Sequence, residues 1–513
     1  MRARVWLGLL CWGLPGCLRA QDGVGAGAAA ATITPEDIAR RIALIAHDSM
    51  KGRATPSPEL EQVAQYIAGE FQRMGLRPVG DRGSFLQRYG IEDVQPDTVE
   101  SGIAVDGGPT WRVGRDVRFP LSVIAEGVAS GPVLLVSGMG DAATLDRRRL
   151  RGAVALAALP VTPAGVPTAA AGAMLLALAR SGAAAVVAIA PLPDSVWTLY
   201  GSALKRRSQR PAWERTLGTL VVVTRDQTMG TVLAEHGVDL GRMRRSSLAI
   251  TPLARLRLTV TVRQRAVARV EAPNVVGVLD GRDPALRNEY LVYSAHMDHI
   301  GVAGSGMGCA AQGRDSICNG ADDDASGTVT VIELAEALAR LQPAPRRSVM
   351  FLTVSGEERG LWGSEYFAAN PPVPAGQLVA NLNVDMVGRN WRDTIVAIGK
   401  EHSDLGATLA RVNAEHPELG MTAIDDLWPE ERFYTRSDHF NFARKGVPVL
   451  FFFNGVHADY HRPSDHADKI DAEKQSRIGK LLFYLGLEIA NGAARPAWNP
   501  ESYRQIVEVG GGR

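Results

Sequence analysis

Cysteine is scarce in this chain, with four residues in 513, and two of them, Cys11 and Cys17, fall within the first 20 positions. Net charge is close to nil, since 56 Lys+Arg against 55 Asp+Glu leaves +1, so the overall balance asks for neither nucleic acid nor an acidic membrane as partner. No apolar run reaches the roughly 20 residues that a bilayer span needs. The Ala-rich stretch 169–190 comes nearest, but Arg180-Ser181-Gly182 interrupts it and predicts a helix followed by a buried strand. What is present is an ordinary globular composition, 46% hydrophobic and 22% charged, long enough for two or three cores.

The first 20 residues read as an export signal. Arg2 and Arg4 precede an apolar run from Val5 to Leu14, and small or polar residues lead to Ala20-Gln21. A periplasmic or secreted protein is expected. Lipid attachment through Leu14-Pro15-Gly16-Cys17 is the weaker alternative, because proline precedes the small residue. Loss of residues 1–20 leaves Cys309 and Cys318, which are expected to form a disulfide in an oxidising compartment. Closing so short a loop stabilises the fold by roughly 2 to 3 kcal/mol in the chain-entropy model.

Beyond a flexible lead-in expected at 21–32, Thr34-Pro35 starts a helix with Ile38, Ile42 and Ile45 on one face. A second helix carries Val63, Ile67, Phe71 and Met74 and stops at Gly75. Short Val/Leu/Ala strands from about 119 to 254 suggest a separate domain. From Val270 onward, β-branched strands alternate with amphipathic helices. The expected fold is therefore α/β, a mixed and mostly parallel sheet sandwiched by helices, in two stretches (33–118 and 255–495), with a β-rich α/β insert at 119–254 and a tail at 496–513.

Clusters of His, Asp or Glu follow the strands expected at 290–295, 349–354, 378–384 and 447–453. Loops at the carboxyl ends of such strands form the ligand crevice of an open α/β sheet. His296 and Asp298 lie two apart, so extended backbone projects both to one side, where Asp298 can accept the imidazole's other N–H. Asp322-Asp323-Asp324 place three carboxylates beside a helix start, more than capping explains. Glu357-Glu358 supply one group to hold a metal and one to move protons. Asp385 ends an apolar strand, where an unpaired carboxylate is costly, and His461 follows the last strand.

Together these segments closely resemble the di-zinc aminopeptidase and glutamate carboxypeptidase family, metallopeptidase family twenty-eight of clan MH. The resemblance rests on His296-Met297-Asp298, Gly320-Ala321-Asp322-Asp323-Asp324-Ala325-Ser326-Gly327, Glu357-Glu358, Asn383-Val384-Asp385-Met386, Ser437-Asp438-His439 and Tyr460-His461. It implies a zinc exopeptidase fold with two zinc ions per chain: Asp323 bridging, His296 and Asp385 completing one site, and Glu358 and His461 the other. Glu357 is then the general base for a water shared by the ions, Tyr460 the donor to the developing oxyanion with Tyr434 in reserve, and the insert a protease-associated domain. A cis peptide after Asp323 is also implied. His299, His439, His457 and His466 are expected to be non-ligands. The function so implied is an exported aminopeptidase acting on peptides, since the site segments show no arginine cluster for a carboxylate terminus. The alternatives are a glutamate carboxypeptidase-type enzyme, a glutaminyl cyclase working with a single ion, and a metal-free binding module like the transferrin receptor relatives.

Overall fold

Four segments, Tyr290–His296, Ser348–Val354, Leu378–Val384 and Val449–Phe452, are buried at every position, as strands covered on both faces must be. They are described in a computed structural model that covers residues 24–509 apart from 121–124, 139–141, 160, 163, 165, 167, 206 and 215–217. The leader expected at 1–20 lies outside the described residues. All four strands run parallel: Tyr290–His296 lies between Ser348–Val354 and Leu378–Val384, and the latter pairs with Val449–Phe452. Thr394–Ile398 joins the outer side of Val449–Phe452 in the antiparallel sense and is followed by the parallel Thr422–Ile424, while residues 275–279 of Gln264–Leu279 lie antiparallel to Ser348–Val354 on its other side.

Alternation along these strands sorts residues to two cores. Leu291, Tyr293, Val349 and Phe351 join the helices Pro35–Ile45, Pro58–Arg73, Gly327–Arg340 and Ala472–Asn491 in one cluster. Val292, Met350 and Leu352 face the other way, against Phe367, Phe442 and Ala443. Capping fixes where the helices begin: Thr34, Ser57 and Asp471 accept hydrogen bonds from the amides of Asp37, Leu60 and Lys474. The fold is α/β as expected, with mixed, mostly parallel sheets flanked by helices.

The chain divides into two compact units, residues 1–88 with 272–513, and residues 89–271. Within the second unit, Gly127–Ser137, Val154–Ala158, Ala185–Ala190 and Leu220–Arg225 form a parallel array. The long strand Ala249–Val262 lies antiparallel to Gly127–Ser137, its register shifting between Pro252 and Arg257. This unit reaches further in both directions than the 119–254 read from strand texture. Gly102–Val105 and Thr110–Arg112 pair with the sheet despite their shortness and mixed burial, so they carry little alternation to read.

The lead-in at 21–32 needs correction. Ala26–Ala30 forms a helix in which Ala29 and Ala30 are buried, and Val24 exchanges backbone hydrogen bonds with Arg340 and Gln342. Alanine orders at little side-chain cost and has the highest helix propensity, so an aperiodic Ala/Gly run docks where a polar one would not.

Candidate metal centre

Parallel pairing brings the strand ends to one edge, and the site is built there. His296 is the last residue of its strand and pairs with Val354, three residues before Glu357. Asp385 follows directly on Leu378–Val384. Asp323 sits in a kinked turn before the helix Gly327–Arg340, its peptide bond to Asp324 cis as the resemblance implies. His461, with φ of 56°, comes from the loop beyond Val449–Phe452.

The two oxygens of Asp323 serve two different neighbours. Oδ1 lies 3.3 Å from His296 Nε2, which is also 3.6 Å from Asp385 Oδ1. Oδ2 lies 3.2 Å from His461 Nε2, itself 3.2 Å from Glu358 Oε2. Charge-assisted hydrogen bonds are shorter, about 2.7–2.9 Å, whereas two donors on a tetrahedral zinc with bonds of about 2.0–2.1 Å stand about 3.3 Å apart. Asp385 Oδ1, Glu358 Oε1 and His461 Nε2 moreover have no hydrogen-bond partner although buried. The donor set and its spacing therefore fit two divalent ions: His296, Asp323 and Asp385 could hold one, and Asp323 with Glu358 could hold the other.

A family model for peptidase family M28 matches residues 274–486, the stretch that carries all of these groups. Residues 274–486 are thus a segment of the peptidase family M28 type. Among curated proteins the chain is 28% identical over 223 residues to a "Probable zinc metalloprotease" of Pyrenophora tritici-repentis, covering 36% of this chain and 46% of that one. It is 26% identical over 226 residues to a "Probable leucine aminopeptidase" of Arthroderma otae, covering 42% and 58%. The chain thus spans about half the length of the curated relatives it matches. Among solved structures, an aminopeptidase from Aneurinibacillus sp. strain AM-1 aligns over 93% of this chain and 98% of its own, at TM-score 0.48 and 17% identity.

Around this M28 site, most of the charge is held by backbone. Asp324 accepts from the amides of His296, Gly327 and Met386, and Asp322 from Gly388. Only Asp323 of the three adjacent aspartates faces His296 and His461; backbone N–H groups engage Asp324 and one oxygen of Asp322 instead. Asp298 also differs in detail. The His296 Nδ1 lies 3.2 Å from the backbone oxygen of Asp298 and 3.7 Å from its carboxylate. That carboxylate accepts instead from Thr55 Oγ1 at 2.8 Å and from the Glu357 amide at 3.3 Å. Ser437 donates to Asp385 Oδ2 at 3.0 Å.

Arg53 was not singled out for this role by sequence. Fully buried, it donates to the carbonyls of Met297, Asn319, Gly320 and Asp323 and so pins the two ligand loops together. Gly52 before it has φ of 63°, and a β-carbon there would collide with the carbonyls of Cys318 and Gly301. The Cys309–Cys318 disulfide is formed. His299, expected from sequence to be a non-ligand, has its Nδ1 2.8 Å from Glu358 Oε1 and groups with Asp323 and Glu358. His439 stacks on Phe451, while His457 faces Asp322 and His466 faces Asp315. Tyr434 packs against His402 and His439.

His296, Asp323, Glu357, Asp385 and Tyr460 open onto a small cavity of about 50 Å³ whose other walls are Met386, Phe433, Arg436, Ser437, Phe451, Phe453 and Val456. Burial, reinforced by Glu358, Asp438 and Asp385, holds the Glu357 carboxyl well above the usual range, against the pull of His296. For His461, burial works the other way and is overcome by the carboxylates of Asp323 and Glu358, each 3.2 Å from its Nε2, which push its imidazole up to about 10. Its raised value means that below about 10 the metal-free imidazole carries a proton, which an incoming cation must displace. Zinc titrated into chelator-stripped protein at neutral pH is therefore expected to release protons and to bind more weakly at pH 6 than at pH 8. Calorimetry in buffers of different ionisation enthalpy checks this, and an enthalpy independent of buffer would contradict it.

Proposed function

We propose that the chain is a di-zinc aminopeptidase that removes N-terminal residues from peptides. The observation that carries this reading is Asp323 sharing one oxygen with His296 and Asp385 and the other with His461 and Glu358, beside the unshared Glu357. Two divalent ions held by this set would supply the positive charge that acidifies water and polarises a peptide carbonyl.

The side chains do the rest. Glu357 takes the proton of the attacking water and returns it to the leaving amine; its raised proton affinity suits the second transfer near neutral pH. Asp298 positions that base through the Glu357 amide and steadies the strand end carrying His296. Tyr460, stacked on His461 and lining the cavity, presents its hydroxyl to the carbonyl oxygen as negative charge develops there.

The choice of terminus follows from charge. The cavity offers a terminal carboxylate little to pair with, since no lysine is among its described lining residues. Its single arginine, Arg436, is paired with Glu431 at 3.1 Å and laid over Phe433. Met386, Phe433, Phe451, Phe453 and Val456 suit an apolar side chain next to the scissile bond. On a panel of fluorogenic aminoacyl amides, leucyl, methionyl and phenylalanyl substrates are expected to exceed aspartyl and N-acetylated ones by about 10-fold or more in kcat/KM. Acetylated substrates cleaved as fast as free ones would refute the aminopeptidase reading, and one zinc per chain would favour a cyclase.

The same reading places the protein outside the cytoplasm. Residues 1–20 have the pattern of an export signal, the Cys309–Cys318 bond suits an oxidising compartment, and no described helix is long and apolar enough to cross a membrane. We assign the unit 89–271 as a protease-associated insert within the peptidase domain.

A further inference from the structure

The two halves of the site are unequal in one respect. Among the described residues His296 is the sole imidazole paired with Asp385, whereas the Glu358 half has two, His461 and His299, whose ring centroids stand 5.6 Å apart. His299 is fully buried and neither of its ring nitrogens has a hydrogen-bond partner. A buried imidazole in that condition is costly unless something else engages it.

The contacts of Nδ1 say what would. It lies 2.8 Å from Glu358 Oε1, yet the two meet off the line of a hydrogen bond, and Oε1 is left without a partner as well. It lies 3.7 Å from Asp323 Oδ2, the oxygen that also faces His461. Two donors sharing one zinc at bonds of about 2.0–2.1 Å are separated by about 2.9 Å at a right angle and about 3.7 Å at a wide one. Both contacts fall at the ends of that range. Glu358 presents Oε1 to His299 and Oε2 to His461, so a cation between the imidazoles would meet a carboxylate edge.

Resting on the di-zinc reading above, we infer that His299 is itself a ligand of the second ion, through Nδ1, so that this ion is held by two imidazoles together with Asp323 and Glu358. The two sites then differ in donor set: His296 with two carboxylates at one, His299 and His461 with two carboxylates at the other. An additional neutral nitrogen donor raises affinity for zinc-like ions without adding negative charge. The second ion is thereby the one that the protein retains when zinc is scarce.

X-ray absorption at the zinc edge, on full-length wild-type protein loaded with two ions, counts the imidazoles directly from their multiple scattering. Three imidazoles per pair of ions are expected, and two would overturn the inference while leaving the di-zinc reading intact. Protein that takes up no zinc would overturn both. His299→Gln is expected to lose one imidazole from that count and to weaken one of the two ions by about 10- to 100-fold or more, read by competition with a fluorescent chelator. His299→Asn repeats the measurement should the first variant fold poorly, with the unfolding temperature in excess chelator compared to metal-free wild type. Affinity that falls in a variant while the wild-type count is two would mean that His299 only orients Glu358, and would equally overturn ligation.

Discussion

Replacing Glu357 by glutamine is expected to cut kcat by about 10²- to 10⁴-fold, the usual worth of a general acid–base group, while the protein keeps both zinc ions. Glutamine matches glutamate in shape and cannot take a proton. Glu357 lines the cavity with His296, Asp323 and Asp385, yet it has no place among the donors grouped at ligand distances. Loss of turnover should therefore be separable from loss of metal. The variant also removes one of several crowded carboxyls, Glu358, Asp438 and Asp385 being the others that raise its proton affinity together with burial. Zinc affinity should consequently stay near the wild-type value. Elemental analysis and steady-state kinetics on the same preparation decide the matter: full activity in Glu357→Gln removes it as the base, and lost zinc makes it a ligand.

The second large effect is at Asp323. Because its oxygens face separate partner sets at 3.3 and 3.2 Å, Asp323→Ala takes a donor from both sites at once, where His461→Ala takes one from a single site. Zinc content after dialysis should fall below two per chain. Activity should drop by more than about 10³-fold, about 4 kcal/mol of transition-state stabilisation. The backbone around it is tied independently, by Asp465 accepting from the amides of Asp322 and Asp323 and by Arg53 on the carbonyls, so circular dichroism should still report the native fold. A variant that keeps two ions would show that the shared carboxylate is not what holds them.

Much of the peptidase unit is legible in its sequence for a physical reason. Strands buried on both faces are written as short apolar runs, and His296, Glu357, Glu358 and Asp385 stand at their carboxyl ends, so local pattern and site position coincide. The helix start at Thr34 is equally local. What escaped reading depends on distance. Arg53 reaches carbonyls more than 240 positions away, and no spacing in a sequence records that. His299 sits in the same run as His296, but only the fold places it against Glu358. The outer strands 102–105 and 110–112 belong to the second unit through pairing with 249–262, a partner that their own few residues do not announce.

The donors of this centre are spread from His296 to His461 and come from the ends of adjoining parallel strands. A nascent chain that has not yet reached Val449 carries His296, Asp323, Glu358 and Asp385 but lacks Val449–Phe452 and His461, and so cannot complete the centre. The complete centre would then form only once Val449–Phe452 and the loop that follows it are laid down, whatever the earlier ligand segments have already folded into.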